Sequence, residues 1–189
     1  MIGFEKQYLK DANIYGVFVD GGVKCSVIPD HASVKYLVRA KTVKDIRKIR
    51  DLFERTAQAC CKLVGTTYEI WNNEPGNMDL VTNRTLANVF ENIYEKLSGK
   101  PMVEEPFGGS TDVGDVSHSV PAIMPCIGLD CPEIGLHTVE FRERTLSQAG
   151  DNAMKWGAEA IALTALSVME DPELLKAIKV EFEAMKRSQ

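Results

Sequence analysis

The sequence predicts an α/β protein of the α+β type, in which helices pack on one face of a small sheet. Two segments are typical of strands. Residues 13–22 (NIYGVFVDGG) are apolar and β-branched before their closing glycines, and residues 33–39 (SVKYLVR) alternate polar with apolar side chains. From Thr42 the apolar residues recur at the spacing of an amphipathic helix. The period therefore changes from two residues to about 3.6 within one short stretch, which favours a layered unit of strands and helix.

The first helix is predicted between a capping pair and a glycine. Thr42 and Asp45 resemble a capping box, and Gly65 ends the pattern. The apolar face consists of Val43, Ile46, Ile49, Leu52, Phe53, Cys60 and Leu63. Residues 1–11 are typical of the end of another helix, and residues 66–71 of a further strand. This half is thus predicted to be strand, strand, helix, strand.

The second half is predicted to be mainly helical. A helix begins near Asn83 and stops at Gly99, with Leu86, Val89, Phe90, Ile93 and Leu97 on one face. Residues 104–145 are rich in Gly, Pro, Ser and Asp, and long loops of this kind are usually functional. The helix 146–169 is apolar nearly all round, which implies burial on more than one side. A last helix has Pro172 at its first position.

The composition excludes several classes of protein. No apolar run approaches the ~20 residues of a membrane span, and the N-terminus lacks a signal-peptide pattern. The net charge is −5, with no basic cluster among aromatic residues, which argues against a nucleic-acid partner. The five cysteines are odd in number and scattered, unlike a secreted disulfide framework. We expect a reduced, cytoplasmic protein with neither membrane nor nucleic acid as partner.

A glycine-rich run, 108–115 (GGSTDVGD), is the sharpest chemical feature. Its two leading glycines let the backbone approach a ligand, and Ser110, Thr111 and Asp112 at a helix start can satisfy free N–H groups. Such a segment suits an anionic group, for instance a substrate carboxylate. The alternative is a glycine-rich turn with an ordinary helix cap.

Two single residues are further candidates. His137 follows a loop rich in Gly and Pro, and neutral imidazole is a good zinc ligand; the alternative is a structural histidine. Cys126 and Cys131 could join it in a zinc triad, but the spacing lacks the short pairs of structural zinc sites. Arg39 ends an apolar strand, where its planar guanidinium suits a carboxylate or simply a solvated strand end.

Several phrases taken together resemble the M20 amidohydrolases. They are 20–23 (DGGV), 28–30 (IPD), 36–40 (YLVRA), 109–117 (GSTDVGDVS), 120–121 (VP) and 137–138 (HT). Their order and spacing are similar to the branch that holds aminobenzoyl-glutamate hydrolase and the aminoacylase-1-like dipeptidases. The resemblance covers nearly the whole chain, and its most specific phrase is 109–117.

The resemblance implies both a domain organisation and a site. Residues 1–75 correspond to a partial, ferredoxin-like lid that dimerises, and residues 76–189 to the C-terminal α/β segment of a zinc-exopeptidase-like catalytic domain. His137 corresponds to the last metal ligand, the metal usually being zinc, and Arg39 to the arginine that binds the substrate carboxylate. The residues that correspond to the lining of the same carboxylate pocket are Gly109, Ser110, Thr111 and Asp112. In the family a metal-bound water attacks the amide carbonyl, with a glutamate as general base.

The same resemblance implies that much of the enzyme lies outside this chain. The family's other metal ligands, its general base and the first strand of its lid precede the part present here, which starts at the end of the lid's first helix. Ser26 stands where the family usually has asparagine, Cys25 where it has proline, and His118 where it has an aromatic residue. These differences depart from the pattern expected of a catalytic chain.

We therefore expect the C-terminal part of a metal-dependent hydrolase that cleaves an amide bond of N-acyl or aminoacyl amino acids or dipeptides. Alone, this fragment is expected to be inactive and not to hold zinc stably, since a catalytic zinc needs about three protein ligands. We expect a homodimer or larger assembly through the lid. The alternative is a non-catalytic dimerisation or binding module derived from the same family.

Overall fold

The structure is a computed structural model that describes residues 12–103 and 109–188. The helix end predicted over 1–11, and Gly108 of the glycine-rich run, lie outside the described residues. The chain divides into two compact units, 1–79 and 80–189, and each is described by itself. The assignment of the two parts as lid and catalytic segment stays a prediction.

The first unit contains a two-stranded antiparallel sheet, as the two strand patterns predict. Strand β1 (Asn13–Asp20) pairs with β2 (Ser33–Arg39) in a register that sets Asn13 opposite Arg39, with an irregularity just before Asp20. Most of the apolar side chains on both strands are exposed. On β2, the ring of Tyr36 packs against Phe53 of the following helix, with 4.8 Å between the ring centroids.

Helix α1 (Val43–Val64) begins and ends at the predicted residues. The Thr42 hydroxyl accepts a hydrogen bond from the backbone N–H of Asp45 (3.2 Å) and donates to its carboxylate (2.8 Å). At the other end Gly65 has φ 73°, and its N–H donates to the carbonyl oxygen of Cys61. A left-handed residue of this kind is a common helix stop that favours glycine. The sequence-local signals therefore fix both ends of α1.

The predicted strand over 66–71 is wrong, because this segment is irregular in the structure. Its first residue still belongs to the helix stop: the N–H of Thr66 donates to Cys61. A strand exists only through a ladder with a neighbour, and in the described part of this unit the sheet consists of β1 and β2 alone. Apolar periodicity without a pairing partner did not produce a strand.

The second unit consists mainly of helices, as predicted. They are α2 (Arg84–Ser98), α3 (Val113–Ser117), α4 (Val139–Thr145), α5 (Gln148–Glu170) and α6 (Pro172–Ser188). Asn83 caps α2, and Gly99, with φ 69°, ends it. The carboxylate of Asp171 accepts hydrogen bonds from the first turn of α6, which begins at the predicted proline. The helix predicted over 146–169 begins two residues later, at Gln148.

The core of the second unit lies where α2 crosses α5. It is built from Phe90, Tyr94 and Ala160, with Ile93, Leu97, Met102, Ile123, Ile127 and Trp156 packed around them. The expectation that the apolar helix is buried on more than one side is wrong for the described residues. One side of α5 packs on α2, whereas the other carries exposed apolar side chains, since none of the described elements covers it.

Helix α6 is joined to the start of α2 by polar contacts. The buried Asn83 amide donates to the carbonyl oxygen of Ile178 (3.0 Å). The carboxylate of Glu181 accepts from the backbone N–H groups of Arg84 (2.7 Å) and Thr85 (2.8 Å). Two of the N–H groups that a helix start leaves unsatisfied are thus paired by a distant side chain.

The two units together have the predicted α+β character, with a small sheet and several helices. Within the described ranges, no helix has the length and apolar character needed to cross a membrane.

Candidate functional site

The glycine-rich run leads into helix α3, which is a single turn. Gly109 and Ser110 are exposed and irregular, and Asp112 occupies the position before the helix without a capping hydrogen bond from its side chain. The hydroxyl of Thr111 instead accepts from the backbone N–H of Val113 (3.2 Å). The predicted cap is therefore present but comes from the threonine, which leaves the exposed carboxylate of Asp112 outside it.

A buried serine fixes the other end of this turn. The hydroxyl of Ser117 donates to the carbonyl oxygen of Gly114 (2.6 Å) and accepts from the backbone N–H of Val81 (2.9 Å). Beside Val81, Thr82 forms an isolated parallel bridge with Ala122. The glycine-rich segment is thus attached to an extended piece of chain more than thirty residues earlier. Ser117 belongs to the phrase that resembles the amidohydrolases, and its position explains why a small hydroxyl residue fits there.

His137 lies immediately before helix α4 in an uncommon backbone conformation. Its φ is 65°, in the left-handed region that costs a non-glycine residue about 1–2 kcal/mol. Thr138 follows as the cap: its hydroxyl accepts from the N–H of Phe141 (3.1 Å) and donates to the carbonyl oxygen of Gly135 (2.8 Å). The histidine side chain is exposed. A strained residue kept in place by its surroundings is a pattern that recurs at functional sites.

The sequence did not reveal the side chains that hold the segment before His137. The guanidinium of Arg144 donates from Nε to the carbonyl oxygen of Leu129 (2.9 Å) and from Nη2 to that of Asp130 (3.3 Å). The ammonium of Lys100 donates to the Asp130 carboxylate at 2.6 Å. The contact between Lys100 and Asp130 spans 30 residues of sequence, so no local spacing predicts it.

A close corner between α4 and α5 also positions this segment. A Cβ atom on Gly150 would overlap the carbonyl group of Thr145 at the end of α4. Glycine is therefore required where the short helix turns into the long one. The sequence shows Gly150 only as one glycine inside a helical pattern.

The described residues do not by themselves fit a zinc site. Over 12–103 and 109–188, no group of three or more His, Cys, Asp or Glu side chains is placed to hold a metal ion. Cys126, Cys131 and His137 all lie within these ranges, so the triad weighed from the sequence is not formed. Both thiols are free, one exposed and one buried. His137 alone falls short of the three or so protein ligands that a catalytic zinc requires.

Arg39 belongs to the first unit. It is the last residue of β2, opposite Asn13, and its side chain is exposed. The structure thus places the predicted site residues on three segments: the end of β2, the run Gly109–Asp112 and the residue before α4. The second and third of these lie in the helical unit.

The chain is similar to two curated dipeptidases and to part of a curated amidohydrolase. It is 30% identical to Xaa-Arg dipeptidase of Mus musculus over 89% of this chain and 40% of the relative, and 30% identical to that of Homo sapiens over 95% and 42%. It is 22% identical to one of the subunits of p-aminobenzoyl-glutamate hydrolase of Escherichia coli K12, over 93% and 48%. No family model matches the chain. The chain spans less than half the length of these relatives, consistent with a C-terminal portion, and it belongs to the M20 amidohydrolase family that its motifs predict.

Proposed function

We propose that this chain is the C-terminal part of a metal-dependent amidohydrolase that cleaves an amide bond of N-acyl or aminoacyl amino acids or dipeptides. The observation that carries this proposal is the similarity to Xaa-Arg dipeptidase, which runs over 95% of this chain in the human protein. The relatives continue well beyond it, so the catalytic reaction belongs to an assembly of which this chain is one part. The five free cysteines favour a reduced compartment, and we place the protein in the cytoplasm.

In this proposal Arg39 binds the substrate carboxylate. A guanidinium donates two parallel hydrogen bonds to a carboxylate, and its charge does not depend on pH in the physiological range. Its place at the end of β2 supports the role, because the sheet fixes the backbone from which the exposed side chain extends. Gly109, Ser110, Thr111 and Asp112 line the carboxylate pocket in the same proposal. The exposure of the first two residues supports it, since their backbone N–H groups can be approached closely.

We propose His137 as a metal ligand contributed to a site whose other ligands come from the rest of the amidohydrolase. Its left-handed backbone and exposed imidazole, just before a capped helix, support this role. Because the described residues do not complete a zinc site, the residues of this chain are assigned only the binding and orientation of substrate and the supply of one imidazole.

The proposal is tested by assaying the chain with and without the missing part. Alone, the 189-residue chain should not hydrolyse aminobenzoyl-glutamate or dipeptides that end in arginine. Produced together with the part of mouse Xaa-Arg dipeptidase that it does not match, it should give chelator-sensitive hydrolysis of such dipeptides. Chelator-sensitive turnover by the chain alone would contradict the assignment as a part of the enzyme.

Two substitutions in the active assembly separate the proposed roles. His137→Ala should abolish most activity and lower the metal content while the fold is kept. Arg39→Lys should keep the charge but lose the two-point geometry, which lowers kcat/KM by about 1.5–3 kcal/mol in activation free energy. Lys35→Arg, at an exposed position on the same strand, is the matched control and should change neither quantity. Normal kinetics of Arg39→Lys would remove Arg39 from the site.

A second candidate function, a dimerisation or binding module without catalysis, is favoured by the sheet of the first unit. Large apolar side chains on both strands are exposed, among them Tyr15, Val17, Phe18, Val19, Val34 and Leu37. An exposed apolar sheet with unpaired edges tends to pair with another chain. Light scattering that shows a dimer of the chain alone, with no activity in any mixture, would favour this candidate over the first.

A further inference from the structure

Helix α5 has two apolar faces, of which only one is covered. The covered face packs on α2 through Ala153, Ala160 and Thr164, all buried. The opposite face, called here the open face, consists of Met154, Ala158, Ile161, Ala162, Ala165, Leu166 and Met169, all exposed. At about 100° per residue these side chains lie within an arc of roughly 140°, and they extend over about 22 Å of helix.

The open face does not have the character of a helix surface that faces water. Met154 is 71% exposed, Ile161 61% and Met169 81%. Between the two methionines the sequence contains only two charged residues, Lys155 and Glu159. A surface helix normally carries charged and polar residues opposite its buried stripe, whereas a helix that is apolar all round is buried in its functional state. A contiguous apolar surface of this size marks a contact site.

A second observation indicates what is absent beside this unit. Thr82 and Ala122 form an isolated parallel bridge, and the N–H of Asn83 donates to Ala122 (3.0 Å). Helix α2 lies between the two bridge residues in sequence, which is the order of a strand–helix–strand crossover. Parallel sheets occur with several strands and with both faces covered. Among the residues described in this unit, no strand extends the bridge, so a helical layer is present without the sheet that would normally accompany it.

We propose that the open face binds the remaining polypeptide of an M20 amidohydrolase, that is, the part of the relatives' length that this chain does not span, and that this polypeptide contributes β-strands beside Thr82 and Ala122. This inference rests on the proposed function. The match to human Xaa-Arg dipeptidase covers 95% of the chain and therefore includes α5. The relative has more than as much sequence again outside the match, since the match takes up 42% of its length.

A second copy of this chain is the competing occupant, and the bridge argues against it. A symmetric contact through α5 would cover the open face of both copies. It would not supply new strands next to Thr82 and Ala122, because the described residues of the helical unit contain no spare strand. The remaining polypeptide accounts for both observations at once.

Oxidation of methionine by dilute hydrogen peroxide, followed by mass spectrometry, reports the coverage of the open face directly. In the chain alone, Met154 and Met169 should oxidise at nearly the rate of a free peptide. In the chain produced together with the unmatched part of mouse Xaa-Arg dipeptidase, both rates should fall at least about tenfold. Met185 of α6, half-buried and away from the open face, is the internal reference and should change less than about twofold.

A pair of variants tests whether the open face itself forms the contact. Ile161→Glu should prevent co-purification of the two polypeptides and restore fast oxidation. Its own circular dichroism should be unchanged, because the side chain is already mostly exposed. Lys176→Glu, on the exposed surface of α6, should leave the complex intact. Normal complex formation by Ile161→Glu would overturn the proposal.

The remaining outcomes separate this inference from the proposed function. Chelator-sensitive dipeptide hydrolysis with Met154 and Met169 still fully reactive would overturn the inference and leave the function standing. Protection of both methionines without any hydrolysis would support the inference and count against the function. Protection already present in the chain alone, together with a dimer by light scattering, would show a second copy as the occupant and overturn the inference. Failure of the two polypeptides to associate would overturn it as well.

Discussion

The two units of this chain differ in how their helices are stabilised. In the helical unit, α2 and α5 bury a core around Phe90 and Ala160. In the unit with the sheet, the only buried apolar side chains among the described residues are Ala12 and Ile49. The sequence patterns of both units are equally regular, yet only one of them encloses a core. Periodicity therefore indicates which face of an element is apolar, whereas burial depends on a partner being present.

The helix caps show the same difference. Thr42 caps α1 through contacts within three residues, and the hydrogen bonds from Lys48 and Thr42 lower the pKa of the neighbouring Asp45 carboxyl. Asn83 caps α2 locally as well, but its amide also reaches α6, 95 residues later. A local cap stabilises one helix, whereas the cap of α2 connects the helix to the rest of its unit.

The largest effect is expected from truncating the core of the helical unit. Phe90 is 1% exposed, so Phe90→Ala removes a buried ring and leaves a cavity, which should cost about 3–5 kcal/mol of unfolding free energy. Denaturation followed by Trp156 fluorescence measures it, since that indole packs against the same core. The matched control is Phe18→Ala on β1, where a ring 79% exposed should cost within about 0.5 kcal/mol. Equal effects of the two changes would contradict the comparison of the units.

Removing the two caps should give a smaller but still unequal pair of effects. Thr42→Ala should cost about 1 kcal/mol, the usual value for an exposed N-cap. Asn83→Ala should cost about 2–3 kcal/mol, because it also leaves the carbonyl of Ile178 without its donor in a buried place. Thermal unfolding of both variants by circular dichroism gives the two values. A cost for Asn83→Ala no larger than that for Thr42→Ala would show that the contact with α6 adds nothing.

The elements that depend on short-range signals could be predicted from the sequence. Thr42 and Gly65 delimit α1, and Asn83 and Gly99 delimit α2, because caps and left-handed stops act within four residues. The strand expected over 66–71 could not be predicted correctly, since strand formation requires a partner far away in sequence. For the same reason the pattern of α5 predicted burial on two sides, whereas the described residues cover one.

The candidate site divides in the same way. The residue types at Arg39, at Gly109–Asp112 and at His137 could be recognised from their motifs, and their roles stay predictions. The contacts that hold the segment before His137, from Lys100 and Arg144, could not be predicted because they join residues distant in sequence or bind backbone carbonyls. The left-handed backbone of His137 was not predicted either, because histidine is not a residue that signals this conformation.

That backbone gives the next prediction, with an effect of about 1 kcal/mol. At position 137 glycine adopts φ 65° without strain, whereas alanine keeps the unfavourable contact of its Cβ. His137→Gly should therefore be more stable than His137→Ala by about 1 kcal/mol in the unfolding free energy. Gly99→Ala, at φ 69°, is the matched reference and should lose a similar amount. If the two variants at position 137 are equally stable, the left-handed conformation is not maintained in solution.

The smallest expected effect is a pH dependence carried by Glu181. Burial acts to raise the pKa of this carboxyl, but the hydrogen bonds from Thr85 and from the backbone N–H of Arg84 outweigh it, so the pKa lies below the ordinary 4.5. The folded state therefore binds this proton less readily than the unfolded state, and the stabilisation is fully present above the unfolded pKa.

Glu181→Gln should thus lower the stability at pH 7 by about 0.3–1 kcal/mol, the usual contribution of a carboxylate at a helix N-terminus. As the pH falls below about 4.5 and through the lowered pKa, the native carboxylate is protonated, and the difference between the two proteins should shrink towards zero. Glu183→Gln, an exposed position on the same helix, is the control for a general change in charge. Urea titrations of the three proteins between about pH 3 and 7 measure the differences, on the order of the smallest that such titrations resolve. A difference between the wild type and Glu181→Gln that stays constant over this range would show that the carboxylate does not pair with the start of α2, and the helical unit would then lose one of the long-range contacts that set it apart from the first.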